Sequence, residues 1–192
     1  MKAICILGSP RPDGSTAAIT AEIASALASR GIATTTYALH DAHIGMCCGC
    51  KSCDNTGECA QVDDMQKIIA DIMGAQLLIV ASPSYWGDVT AQLKRFIDRC
   101  TPYSNTCPMR RTPAAMPKGI AIAVRAGNGV QENLRLVHTI EHFLGHLDIP
   151  LLAQLTLEGI NTKRDLDSRP NALADACALG LSVAHQLHEF FV

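Results

Sequence analysis

The sequence predicts an α/β fold in which a parallel sheet is covered by helices on both faces. Three observations carry this. Five short apolar or β-branched runs each precede a segment with helical periodicity or a helix-forming tail. The runs are nearly continuous in hydrophobicity rather than alternating, as expected of strands buried on both faces. Strands that alternate with helices in this way pair in parallel, with the helices as crossovers.

The elements follow in order. "KAICIL" (2–7) is the first strand, and after the loop "GSPRPDGST" a helix is marked by Ile19, Ile23 and Leu27 at steps of four. "IATTTYAL" (32–39) is rich in β-branched residues and reads as the second strand. Beyond a cysteine-rich segment, Asp63 is expected to cap a helix with Met65, Ile68, Ile69 and Ile72 on its apolar face. "AQLLIVAS" (75–82) is the third strand, and "VTAQLKRFIDRC" (89–100) the next helix, with Leu93, Phe96 and Ile97 on one face. Residues 101–118 contain four prolines and read as a long loop. "GIAIAV" (119–124) is the fourth strand. "VQENLRLVHTIEHFLGHL" (130–147) is an amphipathic helix expected to turn Leu134, Val137, Ile140 and Leu144 inward. "LLAQLTLEG" (151–159) is the fifth strand, and residues 170–190 the last helix. Five such units suggest the flavodoxin-like strand order 2-1-3-4-5. The expectation is one domain over residues 1–192, with a cysteine-rich loop 44–62 after strand 2 and a proline-rich loop 101–118 as insertions. Ligands of such sheets bind beyond the carboxyl ends of the strands, beside strand 1.

Composition narrows the function. The chain has 192 residues, 18% charged and 48% hydrophobic, with a formal net charge of -2. Lysines and arginines are scattered, which gives no nucleic-acid surface. No apolar run approaches the roughly 20 residues that span a bilayer. The start "MKAICILGSPRPDG" lacks the apolar core of about 7–15 residues of a secretion signal. The expected location is therefore the cytoplasm, where thiols stay reduced, and the nine cysteines point to metal or redox chemistry rather than a disulfide framework.

Three loops fall where a ligand is expected. After strand 1, Ser9, Arg11, Gly14, Ser15 and Thr16 stand before a helix start, whose free N–H groups and partial positive charge attract phosphate. The same residues also fit a plain turn with Ser15 as the cap. After strand 3, "SPSYWGD" places Tyr85 beside the only tryptophan, Trp86, with Gly87 permitting close backbone approach. The pair is read either as a wall for a flat ring or as a hydrophobic plug over the core. After strand 4, "RAGNG" (125–129) offers uncovered backbone N–H groups or a simple turn.

Residues 47–59, "CCGCKSCDNTGEC", hold five cysteines, four of them spaced C-x2-C-x2-C-x5-C. Two-residue spacers let a short loop wrap a cluster with thiolates, and Gly49 and Gly57 supply sharp turns. Zinc is a second reading, although its structural sites usually separate two C-x2-C knuckles. Empty or disulfide-switching thiols are a third. Cys5, Cys100 and Cys177 lie in strand or helix patterns and read as buried core thiols, and Cys107 is given no role.

Taken together, "ILGSPRPDGST", "CCGCKSCDNTGECAQVDDM" and "ASPSYWGDVTAQLKRFIDR" resemble the NAD(P)H-dependent FMN reductase family of flavodoxin-like proteins. The resemblance implies FMN, with its phosphate on Ser9, Arg11, Gly14, Ser15 and Thr16. Its isoalloxazine would lie against Pro83, Ser84, Tyr85, Trp86 and Gly87, with Ala126, Gly127 and Asn128 beside it. The family usually has asparagine where this chain has Ser15. The cysteine motif resembles that of the iron-sulfur flavoprotein branch, which implies a 4Fe-4S cluster on Cys47, Cys50, Cys53 and Cys59. An electron donor, NAD(P)H or ferredoxin, an unknown acceptor and a homodimer or homotetramer follow from the same resemblance. An FMN or quinone reductase without a cluster, and a zinc-clipped binding domain, are the alternatives. No side-chain acid or base is required.

Other features have plainer readings. His138, His142 and His146 form one stripe, read as a solvated or subunit-facing surface rather than a metal site, and His185 and His188 likewise. Asp63 and Asp64 read as helix-start residues rather than a catalytic pair. Arg110 and Arg111 read as a solvated loop pair rather than a nicotinamide phosphate site.

Overall fold

Five parallel strands, β1 (Lys2–Leu7), β2 (Ala33–Ala38), β3 (Leu77–Pro83), β4 (Lys118–Val124) and β5 (Leu151–Leu157), form a sheet in the order β2-β1-β3-β4-β5. This computed structural model describes residues 1–112 and 115–191. Pro113 and Ala114 of the proline-rich loop, and Val192, lie outside the described residues. The flavodoxin-like order read from the sequence is therefore the observed one.

Continuous apolar runs became the central strands because both of their faces are covered. Alternate residues of β1 feed two separate cores. Ile4 and Ile6 join Leu78 and Val80 of β3 against α3 (Met65–Met73), α4 (Ala91–Arg99) and α5 (Val130–His146). Ala3, Cys5 and Leu7 join Ile79 and Ala81 against α1 (Ser15–Ala28) and α7 (Pro170–Phe191). β2 and β5 are the edges and are only partly covered. The described residues include no helix long and apolar enough to cross a membrane.

Three expectations need correction. The buried stripe of α5 is Asn133, Leu136, Val137, Ile140, Phe143 and Leu144, while Leu134 is only half-buried. Asn133 is accepted inside because its amide donates to the Leu157 carbonyl (3.2 Å) and to Glu158 Oε1 (3.3 Å). Two short helices were not predicted, α2 (Ser52–Thr56) in the cysteine loop and α6 (Lys163–Asp167) after β5. Cys177 is half-buried, whereas Cys5 and Cys100 are core thiols as expected. Burial pushes the Cys5 thiol up to about 12 and the Cys100 thiol upward as well, so neither is a ready nucleophile.

Candidate functional site

The sheet register brings three loops side by side. Leu7 pairs with Ala81, and Pro83 with Val124, so the loops after β1, β3 and β4 leave the same carboxyl edge. Thr90, the N-cap of α4, ties two of them: its Oγ1 donates to the Gly8 carbonyl (2.6 Å) and accepts from Leu93 N (3.3 Å). A side chain at Gly8 would place Cβ 2.9 Å from Leu93 Cβ and 3.1 Å from the Ala81 carbonyl, so only glycine allows this approach. Thr90 escaped the sequence reading, although a threonine just before "AQLKRF" is an ordinary N-cap signal.

In the loop after β1, Ser9, Gly14, Ser15 and Thr16 are buried and Arg11 stands exposed at the rim. Ser9 Oγ accepts from Arg11 N and donates to the Arg11 carbonyl, both at 3.1 Å, which fixes the loop. Gly14, not Ser15, is the N-cap of α1, and no side chain caps the helix. The capping reading of Ser15 is thus wrong: it occupies the first helical position, and its Oγ is buried without a hydrogen-bond partner. An unpaired buried hydroxyl costs about 1–3 kcal/mol. Helix starts leave N–H groups without partners and carry a partial positive charge. The unpaired hydroxyl and the uncapped helix start together fit a phosphate, an acceptor that satisfies both.

The loop after β3 is a tight hairpin. Tyr85 N donates to the Asp88 carbonyl (2.9 Å) and Asp88 N to the Tyr85 carbonyl (3.1 Å), with Trp86 at φ 57° and Gly87 at φ 74° between them. A left-handed tryptophan is strained by about 1–3 kcal/mol and persists only where neighbours enforce it. Here Thr139 Oγ1 donates to Asp88 Oδ1 (3.0 Å), and Gly87 lies against Glu132. Trp86 is 103% exposed, so it is no plug over the core. Tyr85 is also exposed, Ser84 half-buried, and Pro83 buried at the end of β3.

The loop after β4 is braced by Arg125. Its guanidinium donates to the Gly129 carbonyl (2.5 Å) and pairs with Glu132 (2.7 Å), the residue that also backs Gly87. Ala126 and Asn128 are exposed and Gly127 half-buried, with Gly127 O accepting from Gly159 N (2.9 Å). Arg125 and Glu132 went unread because a bracing ion pair leaves no spacing signature.

The second candidate centre lies apart from these loops. Cys47, Cys48, Cys50, Cys53 and Cys59 line one cavity of about 200 Å³, walled on the far side by Asp98, Arg99, Thr101 and Pro102. Gly49 (φ 64°) and Gly57 (φ 71°) make the left-handed turns expected of them. The cavity sits at the C-terminal end of α4, whereas Thr90 at its start touches the β1 loop. Nine residues at 1.5 Å each separate the two ends by about 13.5 Å. The cysteines therefore do not share the rim of the three loops.

Arg99 holds this loop shut. The buried guanidinium donates from Nη1 to the Gly45 carbonyl (2.9 Å), Gln61 Oε1 (3.1 Å) and Asp63 Oδ2 (2.6 Å), and from Nη2 to Asp63 Oδ1 (3.2 Å). It thus pins the residues before and after the cysteines. The N-cap of α3 is Asp64 rather than the expected Asp63, whose carboxylate instead accepts from Gly45 N (2.9 Å) and Met65 N (3.0 Å) beside Arg99. Burial works to raise the Asp63 carboxyl, but the Arg99 guanidinium and these N–H groups outweigh it and hold the pKa below the ordinary value.

The proline-rich loop covers the cysteines. Cys107 is buried with its Sγ 3.5 Å from the Cys53 carbonyl, and Met109 lies over Gly57. Burial, then the Asp54 carboxylate and the Cys107 thiol, push the Cys53 thiol up. Arg110 is no solvated pair with Arg111: it pairs with Asp148 and donates to the Leu147 carbonyl (2.7 Å), while exposed Arg111 pairs with Glu58 (2.7 Å). Both glycines are left-handed, so alanine is strained at either, but a methyl at Gly57 would also collide with the Met109 carbonyl whereas one at Gly49 meets open space. Gly57→Ala is therefore expected to loosen the loop by about 1–3 kcal/mol. Faster modification of Cys53 by a thiol reagent, beyond the smaller increase in Gly49→Ala, would show it.

The sequence pattern of the NADPH-dependent FMN reductase family matches residues 1–153. The chain belongs to that family. An iron-sulfur flavoprotein of Methanocaldococcus jannaschii is 34% identical over 146 residues, 76% of this chain and 73% of that protein. An iron-sulfur flavoprotein of Archaeoglobus fulgidus is 36% identical over 134 residues, 70% of this chain and 59% of that relative. Among solved structures, an NAD(P)H:quinone oxidoreductase from Methanothermobacter marburgensis superposes with a TM-score of 0.74 at 14% identity, over 95% of this chain and 96% of that one, which supports the fold. Membership in the FMN reductase family supports an FMN-binding flavoprotein oxidoreductase.

Proposed function

We propose that this FMN reductase family member seats FMN on the loops after β1, β3 and β4 and holds a 4Fe-4S cluster on Cys47, Cys50, Cys53 and Cys59. The observation that carries the reading is that these four cysteines, spaced as in the sequence motif, line one cavity in a chain of this family. The names of the archaeal relatives agree with it. Bound FMN supplies exchange between two-electron and one-electron steps, and a cluster supplies single-electron transfer. The protein's part is to bind and to shield. Ser15 Oγ and the start of α1 take the phosphate, with Ser9 and Arg11 shaping the rim. Tyr85, Trp86 and Gly87 present the wall for the ring, and Gly127 and Asn128 the backbone edge.

A single zinc ion would need its sulfurs about 2.3 Å from one point. Among the described residues no three His, Cys, Asp or Glu groups are gathered to hold a metal ion, so the choice of cluster over zinc rests on the C-x2-C-x2-C-x5-C spacing and the names of the archaeal relatives. NAD(P)H is the donor that fits the family, with ferredoxin the one-electron alternative. The exposed Trp86 and the length of α4 between the two centres favour a homo-oligomer in which a neighbouring subunit covers the flavin.

Serine variants test the cluster assignment. Cys47→Ser, Cys50→Ser, Cys53→Ser and Cys59→Ser are each expected to lose most of the iron from protein purified without oxygen. Cys48→Ser is expected to keep it. Iron retained in all four variants would contradict the ligand set, and equimolar zinc in place of iron would replace the cluster with a structural clip.

A further inference from the structure

At the last turn of α5, on a cavity that shares the Asp98 and Thr101 wall with the cysteine cavity, His142 and His146 bring their Nε2 atoms within 3.2 Å of each other. Their rings stand nearly perpendicular, with centroids 4.6 Å apart. A hydrogen bond between them requires one nitrogen to carry a proton and the other a lone pair. The surroundings decide which. Asn105 Nδ2 donates to the Gly145 carbonyl (3.3 Å) and to Asp148 Oδ1 (3.0 Å), which fixes the amide with its oxygen toward His146. That oxygen lies 3.3 Å from His146 Nδ1, so Nδ1 carries the proton and Nε2 is left as a bare lone pair. An imidazole held by a hydrogen bond at one nitrogen, with the other nitrogen free, is how proteins orient histidine toward a metal.

The spacing has the right bite. Two nitrogens 3.2 Å apart, each about 2.0–2.1 Å from a zinc ion, subtend an angle of about 100–105° at the metal, close to tetrahedral. For both Nε2 atoms to face one ion, His142 must carry its proton on Nδ1 instead of Nε2, a change an exposed imidazole makes through water, and the two lone pairs then stand at this spacing. The C-terminal end of a helix also favours a cation. The pair opens into a cavity of about 640 Å³ between α4 and α5, lined also by Thr101, Arg135, His138 and Thr139. Among the described residues no third His, Cys, Asp or Glu completes the group, so the other coordination positions face this cavity.

We propose that His142 and His146 chelate an imidazole-preferring divalent transition ion such as zinc, with Asn105 as the positioning residue and water or a small ligand in the open positions. The site uses none of the five loop cysteines and does not rest on the proposed cluster.

The test is zinc uptake by untagged, purified full-length protein, measured by equilibrium dialysis against zinc chloride. Wild type is compared with His142→Ala, His146→Ala, His138→Ala and Asn105→Ala. Zinc taken by the cysteines is common to all and cancels in the differences. His142→Ala and His146→Ala are each expected to lose one zinc per chain. His138→Ala is expected to match wild type, and Asn105→Ala to keep the zinc with an affinity lowered about 10-fold, the loss typical of removing such a partner. Both essential substitutions lie on the helix surface and introduce a good helix former, and circular dichroism confirms the fold. Equal zinc in wild type, His142→Ala and His146→Ala would overturn the proposal. Loss in His138→Ala equal to that in the other two would overturn the assignment to this pair.

Discussion

Replacing Arg99 by methionine is expected to destabilise the protein by about 3–5 kcal/mol, because it removes a fully buried guanidinium and leaves the partly buried Asp63 carboxylate without its charged partner. For a chain of this length that corresponds to a fall in Tm of roughly 6–20 °C. The loss is local in origin. Arg99 binds Gly45 and Gln61 as well as Asp63, so the cysteine loop loses its clamp on both sides. Iron loading is therefore expected to fall with the Tm. The wild type also carries an acid signature of this pair. The Asp63 pKa is lower in the folded state than in the unfolded chain, near 3.9. Its contribution is thus complete above the unfolded value and is lost as pH falls through the folded one. In Arg99→Met that dependence below about pH 4 is expected to shrink, read from thermal melts at a series of pH values. A variant that melts like wild type and still loads iron would show that the clamp has no such role.

Replacing Ser15 by aspartate separates fold from flavin. A carboxylate in the first turn suits the helix dipole by about 0.3–1 kcal/mol, so the melting temperature is expected to stay within a few degrees. The same charge opposes a phosphate. Two like charges about 4 Å apart repel by about 4 kcal/mol at an effective dielectric near 20, so FMN affinity is expected to drop by at least about 100-fold. Ser15→Ala makes a milder version. It removes a buried hydroxyl that has no partner, so stability holds or rises slightly, while FMN affinity falls by roughly 10-fold with the loss of one charge-assisted bond. Unchanged FMN binding in Ser15→Asp, followed by flavin fluorescence, would remove the phosphate from the start of α1.

The features legible in the sequence were those written in local periodicity. Continuous apolar runs such as "LLIVA" between helical segments dictate a parallel sheet, and that alone aligns the three loops on one edge. The cysteine spacing and the glycines that turn the loop were equally plain, because left-handed residues leave a compositional mark. Hidden were the contacts between residues far apart in sequence. Arg99 in "KRFIDR" looks like one more surface charge until the fold places Asp63 36 positions away beside it. Cys107 carried no signal at all, since only the folding of the proline-rich loop brings it to Cys53. The place of the cysteine cavity was not written in the sequence, although β1 and β2 are neighbours. The long excursion after β2 carries it to the far end of α4. α6 was missed although Thr162 and Asp165 form a capping box that the sequence already displays.

The central claim is that one chain holds both FMN and a four-iron cluster. Its most direct test is a count of FMN, iron and acid-labile sulfide per chain, with a visible spectrum, on protein purified without oxygen. The account predicts flavin bands over a broad absorbance, with one FMN and about four irons and four sulfides per chain. Flavin without iron, after reconstitution with iron and sulfide has also failed, would contradict the cluster and leave an FMN reductase with spare thiols.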